Sequence, residues 1–400
     1  MFNILLSLLY FCAGAGVENP YLNLAGNFSF FDFFIIFILP KKIKILNESL
    51  LMLILSCSLF LISSLSILYN IYNYSFDNSI DNPFFYSIRF GFYSLIILVI
   101  SKNNLINQER FQLLRFFLYG ILVTILHSWF VWFITPTYGW GKIPYLTSEI
   151  YNPNTLVFYS LIYLSLDLFI FELSYKLNKY LKFLFRLIMI LTVLFCLSKA
   201  GWFILVLLLL FKLYLSSFKL VLSIFTFSIL IYFSFLNYFP IGEIKSDLID
   251  TFEGRFAGSE NSNEQRSSMF KTGINMMIDN PLLGIGPKNY REFTKNYDGY
   301  ASRDPHNVFS WIGAELGIFA FSILVSIFLI FSYYTIAYYF KWKKYFINWA
   351  PFFIVLLLQS FVSGLSISDK AIWYVFPLLF GLNNSVLLDK KDFNTNNITI

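Results

Sequence analysis

One of only two histidines in the chain, His306, stands in "SRDPHNVFSWIGAELG" (residues 302–317), at the foot of an apolar run. An imidazole titrates near neutral pH and can take a proton from a hydroxyl as a general base. Upstream, Arg266 lies in "SNEQRSSMFKTGINMMIDNPLLGIGP". A guanidinium keeps its charge and presents a planar fork of donors that suits phosphate oxygens. Each residue also has a plain structural reading. Arg266 can pair with Glu264 or Asp304, as surface ions commonly do. His306 can be a polar residue that starts a helix or is satisfied by neighbouring carbonyls. Spacing alone favours the structural reading of both.

A helix is needed to hold Arg266. Ser262 and Gln265 have capping-box spacing, Met269, Ile274, Met277 and Ile278 fall near one face, and Asn280-Pro281 ends the run. The pattern predicts a helix with Arg266 in its first turn, where the dipole and free backbone N–H groups favour an anion. Gly284 and Gly286 predict a tight turn before a polar stretch that leads to His306. The apolar stripe can rest on a membrane surface or on a helical bundle, and both stay open.

The elements around this segment are membrane helices. Of 400 residues, 58% are hydrophobic and 13% charged, and the mean hydropathy is +0.66, more apolar side chain than a soluble core of this length can hide. Apolar runs of about 17 to 25 residues recur, each long enough to cross a hydrocarbon core of roughly 30 Å as a helix. The shorter alternating segments of a transmembrane barrel are not seen. The predicted fold is all-α, a polytopic bundle of about twelve helices at 2–16, 27–40, 50–69, 84–101, 111–134, 155–175, 181–198, 200–217, 219–239, 307–331, 346–365 and 371–388. Three regions follow: residues 1–240 with about nine helices, a large, partly helical, outward-facing loop at 241–306, and residues 307–400 with about three helices and a tail. The first run, "MFNILLSLLYFCAGA", ends in Ala13-Gly14-Ala15 like a cleavage site, yet it lacks a basic n-region and is predicted to be a retained helix.

Charge sets an orientation. With the N-terminus inside, the inner connections carry Lys41, Lys42 and Lys44; Lys102, Arg110 and Arg115; Lys176, Lys179 and Lys182; Lys212 and Lys219; and Lys341, Lys343 and Lys344. The outer connections at 73–82 and 135–154 share a single lysine, as the positive-inside rule asks, and both termini fall in the cytoplasm. The loop at 241–306 holds ten acidic and eight basic residues, a concentration of charge that suits a functional loop.

Composition also narrows the function. The net charge of +6 is spread over short loops and does not describe a nucleic-acid surface. Cys12, Cys57 and Cys196 all lie inside apolar runs and form no disulfide framework or metal motif. A transporter should show midplane charges, broken helices or duplicated halves. Here the basic candidates gather at the outer end, although Asp32 and Asp167 keep transport open as a third reading. A structural scaffold would have little reason to gather an arginine, a histidine and a glycine-rich turn beside the membrane.

"QRSSMFKTGINMMIDNPLLGIGP" followed by "DPHNVFSWIGAELGIFAF" resembles the bacterial O-antigen ligase and polymerase superfamily. The shared pattern is an arginine, a helix, a Pro-Leu-Leu-Gly-x-Gly turn, a loop, a His-Asn pair and a Glu-Leu-Gly within the next membrane helix. The resemblance implies an enzyme of the bacterial inner membrane that moves a glycan from a polyprenyl-diphosphate-linked donor to a hydroxyl on the outer, periplasmic face. It further implies an inverting transfer without a covalent intermediate; the sequence carries no metal motif, so the transfer is predicted to need no metal and no cofactor. In polymerases the acceptor is a sugar of another lipid-linked repeat, and in ligases it is lipopolysaccharide core or protein. Divergence outside the loop and the following helix inclines the reading toward polymerase.

On this reading His306 is the general base on the acceptor hydroxyl, and Arg266 stabilises the departing diphosphate. Lys199, in "CLSKAGWF" (196–203), occupies the place of a family arginine. A lysine neutralises phosphate as a point charge without the bidentate fork, and its structural reading is snorkelling to the interface. Arg89, Arg255 and Arg303 are further candidates for the diphosphate or glycan. Asn307 is a candidate to hold the imidazole or donate to a substrate hydroxyl, and Glu315 to orient an arginine or Lys199. Arg186 reads as a positive-inside anchor, His127 as interfacial, and Tyr138, Trp140 and Tyr145 as weak candidates for sugar stacking. The implied partners are the lipid-linked donor, the glycan acceptor, membrane lipid and a chain-length regulator protein, with no nucleic acid.

Overall fold

The computed structural model describes residues 2–15, 23–25, 28–29, 47–71, 83–101, 107–135, 153–169, 178–196, 198–215, 223, 226–230, 259–297, 305, 307–341, 350–362, 372–375 and 377–379. In chain order the principal elements are α1 (Phe2–Ala15), β1 (Asn23–Ala25), β2 (Phe28–Ser29), α2 (Asn47–Tyr69), α3 (Pro83–Ser101), α4 (Asn107–Ile134), α5 (Pro153–Phe169), α6 (Lys179–Phe195), α7 (Lys199–Leu215), α8 (Ser259–Asp279), α9 (Tyr290–Phe293) with a 3-10 turn at Thr294–Tyr297, α10 (Val308–Lys341) and α11 (Ala350–Val362). The described residues are overwhelmingly helical. One departure from the all-α expectation is the small antiparallel hairpin β1–β2, which pairs Asn23 with Ser29 and Ala25 with Phe28. It falls at the start of the predicted 27–40 run, most of which lies outside the described residues.

Among the described residues three helical stretches, Leu50–Tyr69, Glu109–Ile134 and Val308–Tyr333, are long and apolar enough to cross a membrane. Shorter apolar helices at Leu6–Ala15, Ser87–Ile100 and Ala350–Phe361 pack beside them. These follow the predicted runs closely, because an apolar run that must satisfy its own backbone in lipid has few alternatives to a helix.

Contacts of small residues set the closest crossings. Gly14 of α1 and Gly120 of α4 face one another so tightly that a Cβ on either would overlap the other helix's backbone. Thr124 Oγ1 donates to the Ala15 carbonyl at 2.8 Å across the same crossing. Such close approach replaces the hydrophobic drive that lipid does not supply. Tyr10 adds a long tie, its hydroxyl donating to the Tyr374 carbonyl at 3.0 Å. Between α2 and α3, Ser94 Oγ donates to Ser56 Oγ at 3.0 Å, and Ser56 Oγ donates to the Phe90 carbonyl at 2.9 Å.

The buried side chains form two cores. The larger joins α1 to α7 with α10 from Val308 to Phe331, α11 and Ile372–Leu379. The smaller consists of Met276, Ile285, Tyr290 and Ala314, with Phe293, Tyr297 and Trp311 against it. It belongs to the segment that carries Arg266.

Candidate functional site

The smaller core makes a platform of α8, the turn after it, α9 and the first turns of α10. Helix α8 begins at Ser259, three residues before the predicted cap. The Ser262/Gln265 pair therefore lies inside the helix, and Arg266 sits about two turns in rather than in the first turn. The macrodipole fades within a turn of the end, so the anion-binding argument from a helix N-terminus does not apply to Arg266. Its side chain is exposed, yet the protein around it removes enough water to push the guanidinium below its ordinary pKa. An arginine still holds its proton at neutral pH.

The face that α8 buries also differs from the predicted stripe. Met269, Thr272, Gly273 and Met276 are buried, whereas Ile278 is 65% exposed. Gly273 lies against Ser310, and Gly313 lies against the Met277 sulfur. As α8 advances from 273 to 277, its partner advances from 310 to 313, so the two helices run side by side in the same direction. Tyr290, buried beneath them, donates its hydroxyl to the Met269 carbonyl at 2.6 Å. Tyr297 packs against the same small core. Burial, reinforced by a hydrogen bond to Asp279, raises its phenol pKa.

After Asp279 the chain turns as the sequence predicts, with positive φ at Gly284 (65°) and Gly286 (95°). The destination of this turn was not predicted. α10 is broken at Gly317, whose φ of 78° and ψ of −173° belong to a region essentially restricted to glycine. The break frees backbone groups that the turn then satisfies. Ile285 N donates to the Ala314 carbonyl at 2.9 Å, Gly286 N to the Glu315 carbonyl at 3.0 Å, and Ile318 N to the Pro281 carbonyl at 2.7 Å. A Cβ on Gly317 would stand 2.6 Å from the Leu282 carbonyl oxygen, and one on Gly284 would stand 2.5 Å from the Ala314 carbonyl oxygen. The two glycine motifs, Pro-Leu-Leu-Gly-x-Gly and Glu-Leu-Gly, are thus two halves of one main-chain joint.

Helix α2 locks the joint from behind. Ser66 Oγ donates to the Leu283 carbonyl and lies 3.2 Å from that of Glu315, while Asn70 Nδ2 donates to the Gly284 carbonyl at 3.2 Å. Sequence reasoning missed Ser66 and Asn70, since a serine and an asparagine near the end of an apolar run are too common to single out.

The remaining candidates occupy distinct places. Asn307 caps α10: its Oδ1 accepts from Phe309 N at 2.9 Å and Ser310 N at 3.2 Å. That is the ordinary role of an asparagine before a helix, a role the sequence reading did not assign to it although its residue type and place signal it. Glu315 is buried just ahead of the break. Lys199 is exposed at the first residue of α7, beyond a short connection from α6; Trp202 Nε1 in the next turn donates to the Val193 carbonyl at 3.1 Å. Helix α7 packs with α5, α6 and α11, whereas α8 packs on α10. The structure does not bring Lys199 and Arg266 together through these contacts. Arg89 is buried on α3, near the level of Phe60 of α2 and so about 10 Å along that helix from Ser66. His306, Arg255 and Arg303 lie outside the described residues, as do Asp32, Tyr138, Trp140 and Tyr145. Pro305 and Asn307, the neighbours of His306, are described.

Arg186 and Asp167 pair deep in the bundle, Nε to Oδ2 at 2.6 Å, with Lys212 Nζ donating to the Leu168 carbonyl at 2.8 Å. Arg186, read as a positive-inside anchor, is therefore a buried partner for Asp167, one of the two aspartates that kept transport open. A carboxylate among apolar helices needs such a partner.

A helical membrane protein with a small platform joined to a broken helix is the class these features define. The family model described as O-antigen ligase matches residues 184–325, from within α6 through the platform and past the break in α10. Over these residues the chain is similar to that family. No curated protein matches the chain.

Proposed function

We propose that this protein is a surface-polysaccharide polymerase of the bacterial inner membrane, transferring a glycan from a polyprenyl-diphosphate-linked donor to a sugar hydroxyl of another lipid-linked repeat. The observation that carries the reading is the main-chain joint between the Pro281–Gly286 turn and the break at Gly317. It holds the helix bearing Arg266 against the helix that follows His306. Arg266 is about 10 Å along α8 from Gly273, the residue that abuts Ser310 near the start of α10.

In this mechanism the His306 imidazole takes the proton from the acceptor hydroxyl as the oxygen attacks the anomeric carbon. The bond from that carbon to the diphosphate oxygen breaks on the opposite face, so the configuration inverts. Arg266 meets the charge that develops on the diphosphate, an interaction that strengthens in the transition state. Lys199, Arg255 and Arg303 are further candidates to hold the diphosphate or glycan. Asn307 contributes by fixing the start of α10. The platform faces the periplasm, both termini are cytoplasmic, and no metal takes part.

The test is glycan transfer in liposomes from a polyprenyl-diphosphate repeat-unit donor, comparing the natural protein with His306→Ala and Arg266→Ala at equal folded protein. Lengthening of the lipid-linked glycan by the natural protein alone supports the proposal. Transfer only after lipopolysaccharide core is added makes it a ligase, and variants as active as the natural protein remove this site assignment.

A further inference from the structure

The platform leaves a continuous apolar patch uncovered, at a level that two membrane helices mark independently. At the joint, Leu282 is 63% exposed, Ile278 one turn before it is 65% exposed, and Phe319 just past the break is 54% exposed. Pro281 and Leu282 abut Gly317 and Ile318 backbone to backbone, so these side chains form one surface. That surface continues into the outward stripe of α10, where Ile318, Ser322, Leu329 and Tyr333 are exposed at helical spacing.

Helix lengths place an edge there. From Ile318 to Lys341, α10 has about 24 residues, or about 36 Å of helix, enough to cross a hydrocarbon core of roughly 30 Å without help from the turns before the break. Helix α2 gives the same level by a separate route. Its apolar stretch ends at Tyr69, and its last turn, through Ser66 and Asn70, is what hydrogen-bonds the joint.

We infer that the turn at Pro281–Leu282 and the end of α8 at Ile278 insert into the lipid at the boundary of the hydrocarbon core, so that the platform is seated in the bilayer surface. The occupant of the patch is lipid: its apolar side chains lie level with the end of one membrane helix and are continuous with the exposed flank of another. Lys271, exposed on α8 about two turns before Ile278, stays in the aqueous layer. The inference rests on the membrane-spanning reading of α2 and α10 and not on the proposed reaction.

The test uses the full chain with Cys12, Cys57 and Cys196 replaced, reconstituted in liposomes of phosphatidylcholine and phosphatidylglycerol. Nitroxide labels are attached singly to Ile278→Cys, Leu282→Cys, Leu329→Cys and Lys271→Cys variants that elute as single species in detergent. Collision with oxygen is compared with collision with a water-soluble nickel chelate. Lipid insertion predicts that oxygen exceeds nickel at 278 and 282, as at the reference 329, and that the order reverses at 271. A water-like result at both 278 and 282 overturns the inference. So does protection from both reagents with dipolar broadening between labels, which would show a second copy of the chain covering the patch. Glycan transfer enters neither result, so failure of the proposed reaction is distinguishable from failure of the seating.

Discussion

The backbone N–H of Ile318 donates to the carbonyl of Pro281 at 2.7 Å, so a residue just past a break in one helix is satisfied by the second residue after another. Both groups are orphans, one created by the unwinding at Gly317 and the other by the end of α8. Leaving a backbone polar group unpaired near hydrocarbon costs several kcal/mol, so the break and the turn stabilise each other.

Gly317→Ala should damage this joint directly. An alanine at φ 78° and ψ −173° is strained, and its Cβ would meet the Leu282 carbonyl. A loss of about 1–3 kcal/mol is expected from the backbone alone. It would be measured as a lower midpoint of thermal unfolding in detergent, and an unchanged midpoint would contradict the conformation described.

Ser66→Ala and Asn70→Ala should each weaken the lock behind the joint by about 1 kcal/mol. Because both side chains act on the same turn, the double variant should lose a different amount from the sum of the two. A double-mutant cycle on unfolding free energy measures the difference, and strict additivity would show that the two contacts are independent.

Asn307 allows a structural role to be separated from a chemical one. Asn307→Ala removes the cap of α10, at a typical cost of about 1 kcal/mol, while Asn307→Asp and Asn307→Ser keep an acceptor for the same N–H groups. Recovery of both stability and glycan transfer in the Asp and Ser variants is expected. Stable variants without transfer would instead assign the asparagine amide to the substrate.

For the buried pair, Asp167→Asn or Arg186→Leu alone should be strongly destabilising, by about 3–5 kcal/mol, because each leaves a partner in a dry interior. Replacing both with apolar residues of similar volume should recover much of that loss. Folded yield after detergent extraction would show it, and equal losses in single and double variants would mean that the pair carries little.

Much of this architecture was legible because membrane helices follow from long apolar runs, and α2, α3, α4 and α10 begin or end within a few residues of the predicted bounds. The start of α8 was not, since Ser259, Ser262 and Ser268 are all plausible local punctuation and packing on α10 decides among them. Gly284 and Gly286 announced a turn, but nothing local to Gly317 says which segment fills its break. That partner is fixed by three-dimensional packing. The ion pair between Asp167 and Arg186 was similarly hidden, each residue being explicable alone until α5 and α6 come together.

The joint at Gly317 is written in main-chain atoms, whereas a sugar is read by side chains. In the bonds that join Pro281–Gly286 to Ala314–Ile318, every non-glycine residue contributes an atom that any other amino acid would also supply, proline excepted at the donating positions. The frame and the tooling are therefore specified separately. Under the proposed function, the side chains that meet the glycan can be recut for a different repeat while the hinge plate that aligns the two helices keeps its geometry.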